Sequence, residues 1–184
     1  MNDKTKSTKT RVQIYFDGAN FHHGLRSFNK KYSDFHVSFK KFGEKIAGER
    51  ELLDIHYYSM HYPRVKNIPM HNKQKIFFKN LKSQGIKVHL AYMNSGSNKV
   101  KGDDIMLALD MFEGAINNEY DVGILVSGDG DFLPLIRKIH KYHKKVELWY
   151  FDARTSKKLI SACDVDKIIT KSQVRKYYMK SKKL

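Results

Sequence analysis

Five aspartates in this 184-residue chain stand where apolar runs begin or end. Asp17 closes Val12-Gln13-Ile14-Tyr15-Phe16, Asp103 and Asp104 open a largely apolar stretch, and Asp129 and Asp131 follow Val122–Val126. If the fold brings such carboxylates to about 4 Å, each pair repels by on the order of 4 kcal/mol at an effective dielectric near 20. Protons or a cation must then relieve the repulsion. At neutral pH a hard divalent ion does so best, and an all-oxygen set without a nearby cysteine suits Mg2+ or Mn2+. Such an ion can lower the pKa of a bound water and stabilise charge on the leaving oxygen of a phosphodiester, so hydrolysis needs no protein nucleophile.

Each aspartate also has an ordinary structural reading. Asp17-Gly18 fits a turn, Asp103 or Asp104 fits a helix N-cap, and Asp129-Gly130-Asp131 fits a turn followed by a cap. Their coincidence at one sheet edge favours chemistry over three unrelated caps. Asp110 falls inside a nearly all-apolar helix, where an unpaired carboxylate is costly. It reads as a partner of a site residue or as a buried hydrogen-bond acceptor.

The elements that must position these residues follow from apolar spacing. Val12–Phe16 reads as a buried strand stopped by Asp17-Gly18. Amphipathic helices are expected around 20–29 and 37–48, then a strand from Leu53 to Tyr62 closed by Pro63, and a helix from Lys73 to Gln84. Ile86, Val88, Leu90 and Tyr92 alternate with more polar residues, the pattern of an edge strand exposed on one side. Residues 103–117 are apolar almost all round, which predicts a largely buried helix. Val122–Val126 has the continuous apolar character of a central parallel strand. A helix near 131–143, strands over 146–151 and 165–169, and a helix near 154–163 complete the alternation. Strands alternating with helices predict one α/β domain over residues 12–169, with a central, mainly parallel sheet whose ligand crevice lies at the strands' carboxyl ends. All the singled-out aspartates except Asp110 fall on that edge.

The net charge of +16 exceeds what solubility requires and points to a polyanionic partner, although a merely solvated surface would carry charge too. Residues 1–11 carry +3 and residues 170–184 carry +6 without one acid, so both ends read as basic arms, the second either disordered or a short basic helix. The single cysteine, Cys163, excludes an internal disulfide and cysteine-rich zinc sites. No apolar run is long enough for a membrane span, and the polar start lacks a secretory pattern; a cytoplasmic protein is the expectation. The histidines show no paired-ligand spacing. Phe21, Tyr62 and Tyr92 lie near the expected site, where bases could stack, but core packing is the expected role of each.

The strings IYFDGANF at 14–21, KGDDIMLALDMF at 101–112 and LVSGDGDFLPLI at 125–136 together resemble the three signature blocks of NYN domains of the LabA-like group, relatives of PIN nucleases. The resemblance runs from about Val12 to Ile169. It implies a three-layer α/β/α PIN-like fold and a metal-dependent endoribonuclease acting on single-stranded RNA, with RNA preferred to DNA on the resemblance alone. It matches Asp17, Asp104, Asp129 and Asp131 to the acidic metal positions, and Asn20 to the asparagine of D-G-x-N, where it would orient water or phosphate. Asp103 stands where the family often has an apolar residue, so an alignment shifted by one would make Asp103 the ligand. Lys101, Lys171, Arg175 and Lys176 are the candidate contacts to substrate phosphates. Two rivals remain: a nucleic-acid-binding module that keeps the acidic pocket without turnover, and a small-molecule phosphatase using the aspartate after the first strand as nucleophile. The second lacks an Asp-x-Asp pair at that strand end. Pairing with a second copy as a homodimer is left open.

Overall fold

The computed structural model describes residues 9–61, 68–92, 102–153 and 155–178. Strands β1 (Arg11–Asp17), β2 (Glu51–His61), β3 (Lys87–Tyr92), β4 (Val122–Val126), β5 (Lys145–Tyr150) and β6 (Val165–Ile168) form one sheet in the order β3-β2-β1-β4-β5-β6. Every neighbouring pair is parallel. The helices are α1 (Gly18–Phe28), α2 (Phe39–Ala47), α3 (Ile68–Ser83), α4 (Asp103–Ile116), α5 (Leu133–His140), α6 (Lys157–Ala162) and α7 (Lys171–Tyr177).

Period-2 alternation divides the central strands between two cores. Val12, Ile14 and Phe16 of β1 join Ile124 and Val126 of β4 on one face, under Phe21 and Leu25 of α1, Phe39 and Phe42 of α2, and Phe77 and Leu81 of α3. Tyr15 and Leu125 turn to the other face, under Leu107 and Met111 of α4, Ile136 and Ile139 of α5, and Leu159 of α6. The result is a three-layer α/β/α fold with a parallel sheet, the architecture expected of a PIN-like domain. From β1 the chain builds outward through β2 to β3, then returns to lay β4 on the other side of β1. The reversal opens a crevice at the carboxyl ends of β1 and β4, because the connections leaving these two strands go to opposite sides.

Three elements differ from their sequence readings. Helix α3 begins at Ile68 rather than Lys73, with Pro69 in its first turn, where a proline nitrogen interrupts no hydrogen bond. Helix α4 is not largely buried. Leu107, Met111 and Ala115 meet the sheet, whereas Ile105, Leu109 and Ile116 are exposed, because an outer layer covers its helix from one side only. The stretch after Thr170 takes the helical form of its two readings, but docked rather than free. Thr170 and Gln173 form a capping box, Val174 is buried, Tyr177 packs on Phe42 at 5.4 Å, and the Tyr178 hydroxyl accepts the Ser33 N–H at 3.2 Å. Strand β3 does lie at the sheet edge, as its alternation predicts.

The entry to α1 is tight. A Cβ at Gly18 would lie 2.5 Å from the Tyr58 carbonyl oxygen and 2.7 Å from the Tyr57 hydroxyl. The first of these atoms belongs to the paired strand β2 and cannot swing aside. Gly18→Ala is therefore expected to lower unfolding free energy by about 1–3 kcal/mol, the usual range for an overpacked core, as measured by urea denaturation. An unchanged midpoint would mean that β1 and β2 separate freely at this end.

Candidate active site

Asp17 and Ser127 end the adjacent strands β1 and β4, one position beyond the Phe16–Val126 pair. Side chains of Gln13, Tyr15 and Asp17 share one face of β1, and this is the α4 face. Asp17 is only 4% exposed, and both its oxygens are engaged. As N-cap of α1 it accepts the Asn20 backbone N–H on Oδ1 at 2.9 Å, while Oδ2 accepts the Ser127 hydroxyl at 2.8 Å. Ser127 Oγ in turn accepts the Asp129 N–H at 3.1 Å. One hydroxyl thus links the carboxylate after β1 to the acidic turn after β4.

That turn has its own cap. Asp129 Oδ1 accepts the Asp131 N–H at 2.9 Å, the N-cap geometry that aspartate favours. Asn20 closes the crevice from the α1 side, its side-chain Oδ1 accepting the Gly128 N–H at 3.0 Å. Below, Tyr57 donates to Asp34 at 2.6 Å, and Asp34 also pairs with His22 Nδ1 at 2.9 Å. These bonds tie α1 and β2 to the Asp34–His36 turn.

Burial pushes the Asp17 carboxyl up to about 7, opposed by the hydrogen bonds from Asn20 and Ser127. The negative charges of Asp104 and, less strongly, Asp103 raise it further. The first turn of α4 therefore faces Asp17, and of its two acids Asp104 acts on that carboxyl more. Asp103 is buried and Asp104 partly so. The exposed Asp131 is joined to the cluster through the Asp129 cap. Among the described residues, no three His, Cys, Asp or Glu side chains converge closely enough to hold a metal ion.

The other expected residues divide. Asp110 is tied to Tyr58, whose hydroxyl donates to it at 2.8 Å, and to His89 at 3.2 Å, not to the carboxylates at the sheet edge. Phe21 is core, 1% exposed among Phe16, Phe39 and Phe151. Lys171, Arg175 and Lys176 are exposed on docked α7. Lys101, Tyr62 and the side chain of Tyr92 lie outside the described residues. Ser127 was not singled out from sequence, since a serine before Gly-Asp-Gly-Asp reads as a turn residue. The available signal was its place at the end of a central strand, where a side chain faces the neighbouring strand's terminus.

Comparison with known proteins agrees with this fold. The family model described as the NYN domain matches residues 11–170. A crystal structure of a protein of unknown function from Vibrio parahaemolyticus is 29% identical, with a TM-score of 0.73 over 90% of this chain and 96% of that one. No curated protein matches. With a family match spanning both strand ends, α4 and the acidic turn, the chain belongs to the NYN domain family.

Proposed function

We propose that the chain is a Mg2+- or Mn2+-dependent endoribonuclease hydrolysing phosphodiester bonds in single-stranded RNA. The observation that carries this reading is the buried Asp17 carboxyl at the switch point, hydrogen-bonded through Ser127 to the Asp129 turn and facing the charges of Asp104 and Asp103. Family membership supplies the nuclease class. The LabA-like group rests on the three sequence blocks.

The donor chemistry fits a hard cation. The groups are carboxylates, and the central one is held toward its neutral form by burial and neighbouring negative charge, a cost that a cation would offset. Asp17, Asp104, Asp129 and Asp131 are the candidate ligands, and three of them would have to draw closer than they stand here to share one ion. A bound divalent ion would supply a water of lowered pKa and positive charge for the leaving oxygen. The chain's own contribution is placement. The Asn20 N–H and the Ser127 hydroxyl fix the plane of the Asp17 carboxylate, and the Asn20–Gly128 hydrogen bond keeps the β4 turn against α1. Exposed Lys171, Arg175 and Lys176 contribute attraction to the phosphate backbone. A binding module without turnover is the second reading, favoured by the lack of three convergent metal donors among the described residues.

Asp104→Asn and Asp129→Asn should each abolish metal-dependent cleavage of labelled single-stranded RNA and leave the fold intact, since asparagine keeps the shape of both side chains and can still cap at position 129. Parental cleavage rates in either variant would place the chemistry elsewhere. Circular dichroism identifies loss of folding.

A pH titration of stability tests Asp17 separately. Its carboxyl titrates near 7 in the folded chain and near 4 unfolded. The neutral acid's advantage is therefore complete below about pH 4 and lost as pH rises through 7. Over that window the parent should lose on the order of 4 kcal/mol relative to Asp17→Asn, about 1.4 per unit. Mn2+ should reduce the loss by favouring the ionised form. Parallel pH profiles without metal would mean that Asp17 titrates normally.

The α7 cations are read out through salt. Replacing Lys171, Arg175 and Lys176 together by alanine should flatten log K against log salt by about 2, at ~0.7 per single-strand phosphate contact. An unchanged slope removes α7 from the interface.

A further inference from the structure

A cleft of about 570 Å3 opens beside the carboxylates. It shares two wall residues with them: Asn20, whose backbone N–H binds Asp17, and Gly128, which lies between Ser127 and Asp129. Its outer wall carries Arg26 and Lys30 from the first helix and its end, both exposed and without a hydrogen bond or ion pair to any described residue. Phe151 and Thr155 supply the opposite wall. That wall is firmly held. Thr155 Oγ1 donates to the Phe151 carbonyl at 2.7 Å, and the Ser156 N–H reaches the Gly128 carbonyl at 3.1 Å. The Phe151 ring lies 2.0 Å from where a Cβ on Gly24 would sit, so the absence of a side chain there lets the two walls meet.

We propose that this cleft holds the nucleotide next to the scissile phosphate of a single-stranded polynucleotide, with that neighbour's phosphate on Arg26 and Lys30 and its sugar or base against Phe151. The proposal rests on the nuclease reading and adds where the strand runs. Six residues separate Asn20 from Arg26, a rise of about 9 Å along the helix. A phosphate bound at the carboxylates and one bound at Arg26 are therefore distinct groups on one chain. A phosphomonoester offers only the first. The volume lies within the usual range of small-ligand pockets and admits one nucleotide, not a duplex. Two unpaired cations at its mouth fit a phosphate, whose charge-assisted hydrogen bonds are stronger than neutral ones.

The test compares the parent with Arg26→Ala/Lys30→Ala on two substrates, a labelled oligoribonucleotide and a dinucleoside monophosphate, which has one phosphodiester and no neighbour. The double variant should lose about tenfold more in kcat/KM on the oligomer than on the dinucleotide, mainly through KM. Binding of the same oligomer, read by fluorescence anisotropy across salt, should show a slope flatter by about 1.4 for two lost contacts. Lys138→Ala/Lys141→Ala removes the same charge from exposed Lys138 of α5 and its C-cap Lys141, on the opposite face of the sheet, and controls for general attraction. Equal losses on both substrates, or a slope no flatter than the control's, overturn the proposal. If the parent binds but cleaves nothing while the slope changes as stated, the nuclease reading fails and the cleft stands as a strand-binding site. Repeating the binding with DNA of the same sequence identifies the sugar the cleft accepts.

Discussion

A carboxylate buried between two parallel strands is the constraint around which this molecule is arranged. Left ionised in an apolar crevice, Asp17 would cost far more than one hydrogen bond returns. The fold answers with the Asn20 N–H of α1, with the hydroxyl after β4, and with a proton retained to about pH 7. Each answer requires a particular neighbour. Gly18 admits the helix start against β2, Asn20 locks that helix to the β4 turn, and Ser127 must occupy the position after Val126.

The charge distribution has the same logic. The chain carries +16 overall, yet α4 contains Asp103, Asp104, Asp110 and Glu113 and no cation. Its amino-terminal acids face Asp17 from the second layer, while the unpaired cations Arg26 and Lys30 stand on the first. Local negative charge is thus set inside a positive surround. The net positive charge attracts anions, whereas the acidic crevice repels them until a cation there reverses the sign.

Much of the fold was readable because buried parallel strands announce themselves as unbroken apolar runs. Val12–Phe16 and Val122–Val126 each end at an aspartate-bearing turn, and that punctuation located the crevice. Sidedness was harder to read. Helix α4 is apolar on most of its circumference, so its sequence could not say that Ile105 and Leu109 would face outward; only the position of the sheet decides. The docking of α7 was hidden under its lysines, although Val174, Tyr177 and Tyr178 recur at helical spacing and mark its buried side. Ser127 and the Arg26 cleft were invisible for a common reason. Each depends on a partner far along the chain: Asp17 for Ser127, and Phe151 with Thr155 for Arg26.

That distance has a consequence for when the site comes into being. Ser127 and Asp17 are separated by 110 residues, and a contact so remote in sequence forms only after the intervening chain has been closed into a loop, at an entropic cost that slows folding. During synthesis, β1, β2 and β3 emerge first and can pair side by side while Asp17 still lacks the hydroxyl that orients it. The crevice appears when β4 inserts against the exposed flank of β1, and the wall carrying Phe151 follows later still. Maturation of the carboxylate cluster is therefore coupled to synthesis through β4 and the turn after it, and a truncated product ending before β4 carries the aspartate without its setting.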